Sequence, residues 1–194
     1  DQDPYYEHLY KISLNGTGLT AINAGDYNTS TTMADSNGFF VSNYSRINTV
    51  PKSELRTSDG KIVMQLETAD LSQLMAAGYK FPETFKMKAD DGITDIYGVM
   101  YKPFDFDETK KYPLLEYVYP GPQTEAVNKS FSVRMDRLDR MAQVGFIVVT
   151  MGNRGGHPDR SKWYHNYGYG NLRDYGLADK RHVAEQLADK HDYI

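Results

Sequence analysis

Residues 113–119 read Pro-Leu-Leu-Glu-Tyr-Val-Tyr, and residues 146–151 read Phe-Ile-Val-Val-Thr-Met. Both runs are largely apolar along their whole length, which is typical of strands buried in a parallel sheet. Between them, Val133–Val144 carries apolar side chains at helical spacing, and Gly145 ends the pattern. A strand, a helix and a second strand in this order predict the opening of an α/β sheet.

Further elements extend this sheet in both directions along the chain. Thr84–Ala89 and Thr94–Tyr101 are joined by an Asp-Asp-Gly turn and predict a β-hairpin. A last helix is predicted at about Leu172–Lys190, after a glycine-rich loop. Upstream, Asp70–Gly78 predicts one or two helical turns, and we place a domain boundary near residue 80.

The first third of the chain predicts β structure only. Six short segments with strand composition are separated by glycine-containing turns: His8–Ser13, Leu19–Ile22, Thr31–Ala34, Phe39–Ser45, Ser53–Arg56 and Lys61–Leu66. This arrangement predicts an antiparallel meander. The last four segments span fewer than 40 residues, close to the roughly 40–45 residues of a propeller blade. A piece of a β-sandwich fits the strand pattern equally well.

Composition narrows the class of protein. Of 194 residues, 40% are hydrophobic and 25% are charged, which indicates a globular chain. The net charge of -4 argues against nucleic acid or an anionic membrane as the main partner. The absence of cysteine excludes disulfides, thiolate zinc sites and a cysteine nucleophile. No apolar run approaches the roughly 20 residues of a membrane span. The start at Asp1, without a methionine or a signal peptide, leads us to expect a piece of a longer protein.

The residues usually used in hydrolytic sites form no recognisable constellation. None of the eleven serines lies in a Gly-x-Ser-x-Gly turn. Ser161, His165 and Asp174 are the residue types of a catalytic triad, but proximity in one loop does not support the required geometry. His157 and His165 with Asp159 lack the constrained spacing of a metal site. We therefore predict no metal and no cofactor.

Tyr119 is the tyrosine with the most suggestive position. It ends the predicted strand and is followed by Pro-Gly-Pro. Active sites of open α/β sheets lie at the carboxyl ends of the strands, where a phenol held by a stiff turn can point at a reacting centre. The alternative is a tyrosine that caps the core at a strand end. The residues alone leave both interpretations open.

A family resemblance is carried by several of these segments. Lys111–Pro122 resembles the stretch that opens the hydrolase domain of the prolyl oligopeptidase family of serine peptidases, in particular its dipeptidyl peptidase IV branch. Before it, Tyr97–Pro103 resembles the family's strand that ends in a proline. After it, Gly152–Gly156 and Tyr167–Asp179 resemble later segments of that domain, in order. The meander before residue 67 resembles the end of the family's β-propeller.

The resemblance implies a mixed fold, β first and then α/β: C-terminal blades of a β-propeller followed by a truncated α/β-hydrolase sheet. Residues 1–67 would form the last one and a half blades, 68–82 a linker with a short helix, and 83–194 the N-terminal half of the hydrolase domain. By resemblance, the full-length protein is a serine peptidase that cleaves dipeptides or short peptides after proline-like residues, through an acyl-enzyme. It is expected to be secreted or periplasmic.

The resemblance also assigns residues. Tyr119 matches the tyrosine whose hydroxyl donates to the oxyanion, and Arg154 and Gly155 match a supporting loop. The serine, aspartate and histidine of the triad would lie downstream, so the segment alone is expected to be inactive. Alternatives are a non-catalytic module that binds peptide or glycan, and an α/β-hydrolase that acts on acyl esters.

An exposed strand edge is a further expectation. In the predicted sheet, strand 114–119 has strand 146–151 on one side, and the nucleophile strand of the family would pair with its other side. Without that neighbour the backbone N–H and C=O groups along the edge are unpaired. We therefore expect the isolated chain to self-associate through this edge.

Overall fold

The computed structural model describes most of the chain: residues 3–119, 121–132, 137–171 and 174–194. The chain divides into two compact units: Asp1–Leu74 with Lys129–Ser132, and Met75–Asn128 with Val133–Ile194. The described residues form three sheets, none of which closes on itself. The first unit is β-rich and the second mixes strands and helices, so the prediction of β structure followed by α/β structure is confirmed at this level.

The first unit contains six strands: β1 (Tyr10–Lys11), β2 (Thr20–Ala21), β3 (Asn28–Met33), β4 (Phe39–Ser45), β5 (Lys52–Thr57) and β6 (Ile62–Thr68). β3 to β6 form an antiparallel meander in sequence order, and β1 pairs separately with β2. The predicted strand Phe39–Ser45 is found with both of its ends. The first two predicted strands shrink to two residues each, and their side chains are exposed to water.

The interior of the meander is partly polar. Phe40 is buried on β4, and the carboxylate of Glu54 is buried on β5. Glu54 accepts hydrogen bonds from the Tyr44 hydroxyl (2.7 Å) and the Gln65 amide (2.8 Å), and it pairs with Arg56 at 2.6 Å. Burial raises the pKa of Glu54, but these three donors together hold it below its ordinary value. Both oxygens of the buried carboxylate therefore interact with a donor.

The second unit contains the remaining strands and most of the helices. The elements after β6 are α1 (Ser72–Ala76), β7 (Glu83–Lys88), β8 (Asp95–Tyr101), β9 (Leu114–Glu116), α2 (Arg137–Gln143), β10 (Ile147–Met151), α3 (Lys162–His165) and α4 (Leu177–Lys190). The division between the units falls within α1. The sheet order is β7-β8-β10-β9, with β9 and β10 parallel and the other pairs antiparallel. The predicted hairpin and the predicted strand–helix–strand unit are both found.

The core of this unit is built around β10, whose five residues are all buried. Its side chains at Ile147, Val149 and Met151 pack in one cluster with Val183 and Leu187 of α4. Burying side chains of this size contributes about 1.5–3 kcal/mol each. Because all five residues of β10 are buried, both faces of the strand are covered, and the run at 146–151 does not alternate between apolar and polar residues. No helix in the described part of the chain is long and apolar enough to span a bilayer.

Several predicted boundaries differ from the structure. The predicted helix at Val133–Val144 is observed as α2, and residues 133–136 lie outside the described residues. Leu172 also lies outside them, and α4 begins at Leu177. The predicted strand 114–119 is shorter, because β9 ends at Glu116 and its residues are half-buried rather than buried. Among the described residues β9 pairs with β10 alone, which gives it one supporting neighbour instead of two.

Candidate active site at the carboxyl edge of the parallel strands

β9 and β10 are parallel, so the loops that follow them begin at the same edge of the sheet. After β9 the Tyr117 N–H still donates to the Val149 carbonyl at 2.9 Å. Tyr119 lies two residues further on and is 43% exposed. A Cβ at Gly121 would come within 2.8 Å of its ring, so the tyrosine folds against this glycine. The catalytic role of Tyr119 stays a prediction.

Arg154, in the loop after β10, is buried and anchored by two carboxylates. Its Nη2 lies 2.6 Å from Asp179 Oδ1, its Nε lies within about 3 Å of both Asp179 oxygens, and its backbone N–H donates to Oδ2 at 2.8 Å. Its Nη1 lies 3.0 Å from Asp91 Oδ2, and its guanidinium stacks on the Tyr167 ring. The hydrogen bonds that its guanidinium donates to Asp179 raise the pKa of Arg154 above its ordinary value. Arg154 therefore fixes the loop to the first turn of α4.

Gly155 occupies a position that requires glycine. Its φ is +91°, and a Cβ there would overlap the ring of Tyr175. Its N–H donates to the Tyr164 carbonyl at 2.6 Å. The left-handed backbone and the close approach of an aromatic ring both exclude a side chain. The supporting loop predicted from Arg154 and Gly155 is thus a tightly packed turn.

Two charged residues that sequence reasoning missed also bind the loops at this edge. Glu125 is 8% exposed, and its Oε1 accepts the Asn153 N–H (3.0 Å) and the Tyr164 hydroxyl (2.8 Å). Lys180 on α4 donates to Glu116 Oε1 at 2.7 Å and to the carbonyl of the last β10 residue at 3.2 Å. These partners are far apart in sequence, so no local motif marks them.

The carboxylate of Asp91 belongs to the same network. Burial raises its pKa, but hydrogen bonds from the Thr94 hydroxyl (2.6 Å) and the N–H groups of Thr94 and Ile93, together with the charge of Arg154, lower it to about 2. The ordinary value for this group is 3.8. Asp91 therefore interacts more favourably with its surroundings when it is ionised.

This shift predicts a pH dependence of stability. Between the lowered and the ordinary pKa the unfolded chain binds more protons, so the stabilisation from Asp91 is present above about pH 4 and is lost as the pH falls towards 2. Asp91→Asn should lower the free energy of unfolding at about pH 6, and the difference from wild type should shrink at about pH 2.5. Urea unfolding at the two pH values measures this. Asp90→Asn, which removes one negative charge from the same turn, is the control. A deficit for Asp91→Asn that is equal at both pH values would contradict the assignment.

The other candidate residues have structural contacts. The Ser161 hydroxyl caps α3 by accepting the Tyr164 N–H at 3.1 Å. His165 Nδ1 lies 2.8 Å from the Gly156 carbonyl, and His157 Nδ1 lies 3.9 Å from Asp159 Oδ2. Within the described ranges, no three His, Cys, Asp or Glu side chains are placed to hold a metal ion. Ser161, the serine considered for a catalytic triad, therefore serves as the N-cap of α3.

Comparison with known proteins identifies relatives of this chain. No family model matches the chain. The chain is 30% identical over 200 residues to dipeptidyl peptidase 8 from Homo sapiens, an alignment that covers 98% of the chain and 22% of the relative, and the Mus musculus protein matches equally. A probable dipeptidyl-aminopeptidase B from Emericella nidulans is 30% identical over 161 residues, which is 78% of the chain and 17% of that relative.

The chain thus spans about a fifth of the length of the curated relatives it matches. Within that span the alignment with the first two relatives covers both units and the loops after β9 and β10. The chain is therefore homologous to one segment of these proteins and matches the dipeptidyl peptidase IV-like branch of the prolyl oligopeptidase family.

Proposed function

We propose that this chain is part of a serine-type dipeptidyl peptidase, in which Tyr119 donates a hydrogen bond to the oxyanion formed during acyl transfer. The observation that carries the proposal is the placement of Tyr119, exposed and just beyond β9 at the carboxyl edge of the parallel pair. The relatives named as dipeptidyl peptidases support it. The substrate class is then a peptide with a proline-like residue before the cleaved bond.

The proposed domain arrangement follows the family resemblance. Residues 1–67 are assigned to the end of a β-propeller, 68–82 to a linker and 83–194 to the first half of an α/β-hydrolase domain. The meander between Asn28 and Thr68 supports the first assignment, because four antiparallel strands in roughly 40–45 residues make one propeller blade. We assign the full-length protein to a secreted or periplasmic location on the family resemblance.

In this mechanism the chain's own residues stabilise charge rather than attack the substrate. A serine outside this segment attacks the peptide carbonyl, a histidine takes its proton, and an aspartate orients the histidine. As the carbonyl oxygen becomes negative, the Tyr119 hydroxyl donates to it, and a fixed neutral donor of this kind contributes about 3 kcal/mol. The loop that carries Arg154 and Gly155 is fixed to α4, and its Asn153 N–H donates to Glu125.

The test is the Tyr119→Phe variant of the full-length protein. Turnover of a Gly-Pro chromogenic amide should fall by about 100-fold with little change in KM, because the lost hydrogen bond forms in the transition state. Tyr169→Phe is the matched control, since Tyr169 is 90% exposed in the same unit and should retain wild-type turnover. Unchanged turnover in Tyr119→Phe would remove the oxyanion role. A full-length protein without any turnover would favour the non-catalytic peptide- or glycan-binding alternative.

The isolated 194-residue chain is expected to self-associate and to be inactive. The edge of β9 that faces away from β10 has no strand beside it in the described sheet. The 194-residue sequence contains no Gly-x-Ser-x-Gly turn and therefore no recognisable nucleophile. Backbone groups on such an edge pair readily with another chain. Size-exclusion chromatography with light scattering should show dimers or larger species, and the same chain should not cleave the Gly-Pro amide. A stable monomer at all concentrations would contradict association through this edge.

A further inference from the structure

We propose that Glu125 is a positioning residue, which holds the turn that carries Tyr119 against the loop after β10. This inference rests on the proposed oxyanion role of Tyr119. Glu125 is separated from Tyr119 by five residues. Its carboxylate accepts hydrogen bonds from the loop after β10 and from α3. It therefore joins the two loops that meet at the carboxyl edge of β9 and β10.

The contacts of Glu125 show a position built for a carboxylate. Its Oε1 accepts two hydrogen bonds, from the Asn153 backbone N–H and from the buried Tyr164 hydroxyl. A Cβ at Gly156 would overlap its carboxyl group, so the loop after β10 approaches closely only because residue 156 is glycine. A carboxylate buried to this degree is costly unless donors surround it. Here donors from two elements, the β10 loop and α3, converge on one oxygen.

The turn between Tyr119 and Glu125 has one exposed end and one anchored end. Tyr119 is 43% exposed and folds against Gly121, where the side chain of Gln123 also lies. Packing against a core therefore covers only part of the phenol. The anchored end of that turn is Glu125. Loss of the anchor should let the turn shift, and small displacements of a catalytic donor are costly in rate.

A residue with this much burial also contributes to stability, and the experiment has to separate the two effects. If Glu125 acts through Tyr119, its removal should reduce turnover only while the Tyr119 hydroxyl is present. A residue that only stabilises the fold should reduce turnover by the same factor with or without that hydroxyl. A double-mutant cycle between the two positions measures this difference.

The cycle uses the full-length protein with the Gly-Pro amide and four forms: wild type, Glu125→Ala, Tyr119→Phe and the double variant. Glu125→Ala should lower kcat about tenfold, with KM within about twofold of wild type. The double variant should be no slower than Tyr119→Phe alone. Glu125→Gln keeps an acceptor oxygen for both donors and should remain within about threefold of wild type. Thr124→Ala, at the exposed neighbouring position, is the matched control and should leave kcat unchanged.

The outcomes distinguish this inference from the proposed function. A Tyr119→Phe enzyme with normal turnover would overturn the oxyanion role and this inference with it. A slow Tyr119→Phe enzyme that loses a further tenfold with Glu125→Ala would overturn only the role of Glu125. If Glu125→Ala does not fold, Tyr164→Phe, which removes one donor to Glu125, takes its place in the same cycle. Additive losses there would contradict the inference, and non-additive losses would support it.

Discussion

Asp179→Ala should destabilise the protein by about 3–5 kcal/mol, the largest effect that we expect from a single substitution in this chain. Asp179 is fully buried and accepts hydrogen bonds from the Arg154 guanidinium and from the backbone N–H groups of Arg154 and Asp90. Its removal leaves a buried guanidinium with Asp91 as its remaining anionic partner among the contacts described. The cost is therefore mainly that of an incompletely compensated buried charge.

Urea unfolding of the full-length protein measures this loss, and the same helix supplies the control. Arg181 and Glu185 form an ion pair at 2.8 Å, but their side chains are 82% and 54% exposed. Glu185→Gln should therefore cost no more than about 0.5 kcal/mol. Equal effects of the two substitutions would show that burial does not set the strength of the Asp179 pair. Replacing both partners, Arg154→Met with Asp179→Leu, should recover part of the lost stability, since the buried guanidinium is gone, while Asp91 and the N–H groups of Asp90 and Arg154 each lose one partner.

Gly155→Ala should destabilise the protein by about 3 kcal/mol, through two effects that act together. A φ of +91° places a non-glycine residue in a strained backbone region, at a cost of about 1–2 kcal/mol. The new methyl group also overlaps the Tyr175 ring, and overpacking of this kind costs about 1–3 kcal/mol. Because the loop also carries Arg154, the change should displace the ion pair with α4.

Thermal unfolding of Gly155→Ala should be compared with that of Gly170→Ala. Gly170 has a similar φ of +85°, but a Cβ there meets nothing within 4 Å. Gly170→Ala should therefore show the backbone cost alone, about 1 kcal/mol. The difference between the two variants isolates the collision with Tyr175, and it should shrink in a Tyr175→Ala background. Equal losses of stability in Gly155→Ala and Gly170→Ala would mean that the Tyr175 ring moves aside without destabilising the protein.

Local patterns were sufficient to predict most of the strands, the hairpins and the parallel strand pair. β4 was predicted with both ends because turn residues bound it, and the apolar run at 146–151 gave β10 because that strand is buried throughout. The parallel pairing of β9 with β10 follows from a helical crossover between two apolar runs. Periodicity and turn chemistry are local signals, so they are readable without knowledge of the fold.

The polar network could not be predicted in the same way. Glu125 and Tyr164 are 39 residues apart, and Lys180 and Glu116 are 64 residues apart. Nothing in the neighbourhood of Glu125 distinguishes it from a solvated surface charge, and the apolar run around Glu116 does not identify its partner. The early end of β9 was also missed, because strand length there depends on how many neighbours the strand has rather than on its own composition. The long-range polar contacts and the end of β9 both depend on where the residues lie relative to the sheet.

The first unit is discontinuous in sequence, and this has a consequence for how it is synthesised. Besides Asp1–Leu74 it includes Lys129–Ser132, where the Ser130 hydroxyl accepts from the Asn28 amide at 2.7 Å and the Phe131 N–H donates to the Ser45 hydroxyl at 3.0 Å. On the ribosome the meander emerges first, and its last four residues follow only after Met75–Asn128 has been translated. At about 5–20 residues per second this interval is several seconds. During this interval the Asn28 amide and the Ser45 hydroxyl cannot form these two hydrogen bonds. The first unit therefore completes its folding only after much of the second unit has been synthesised.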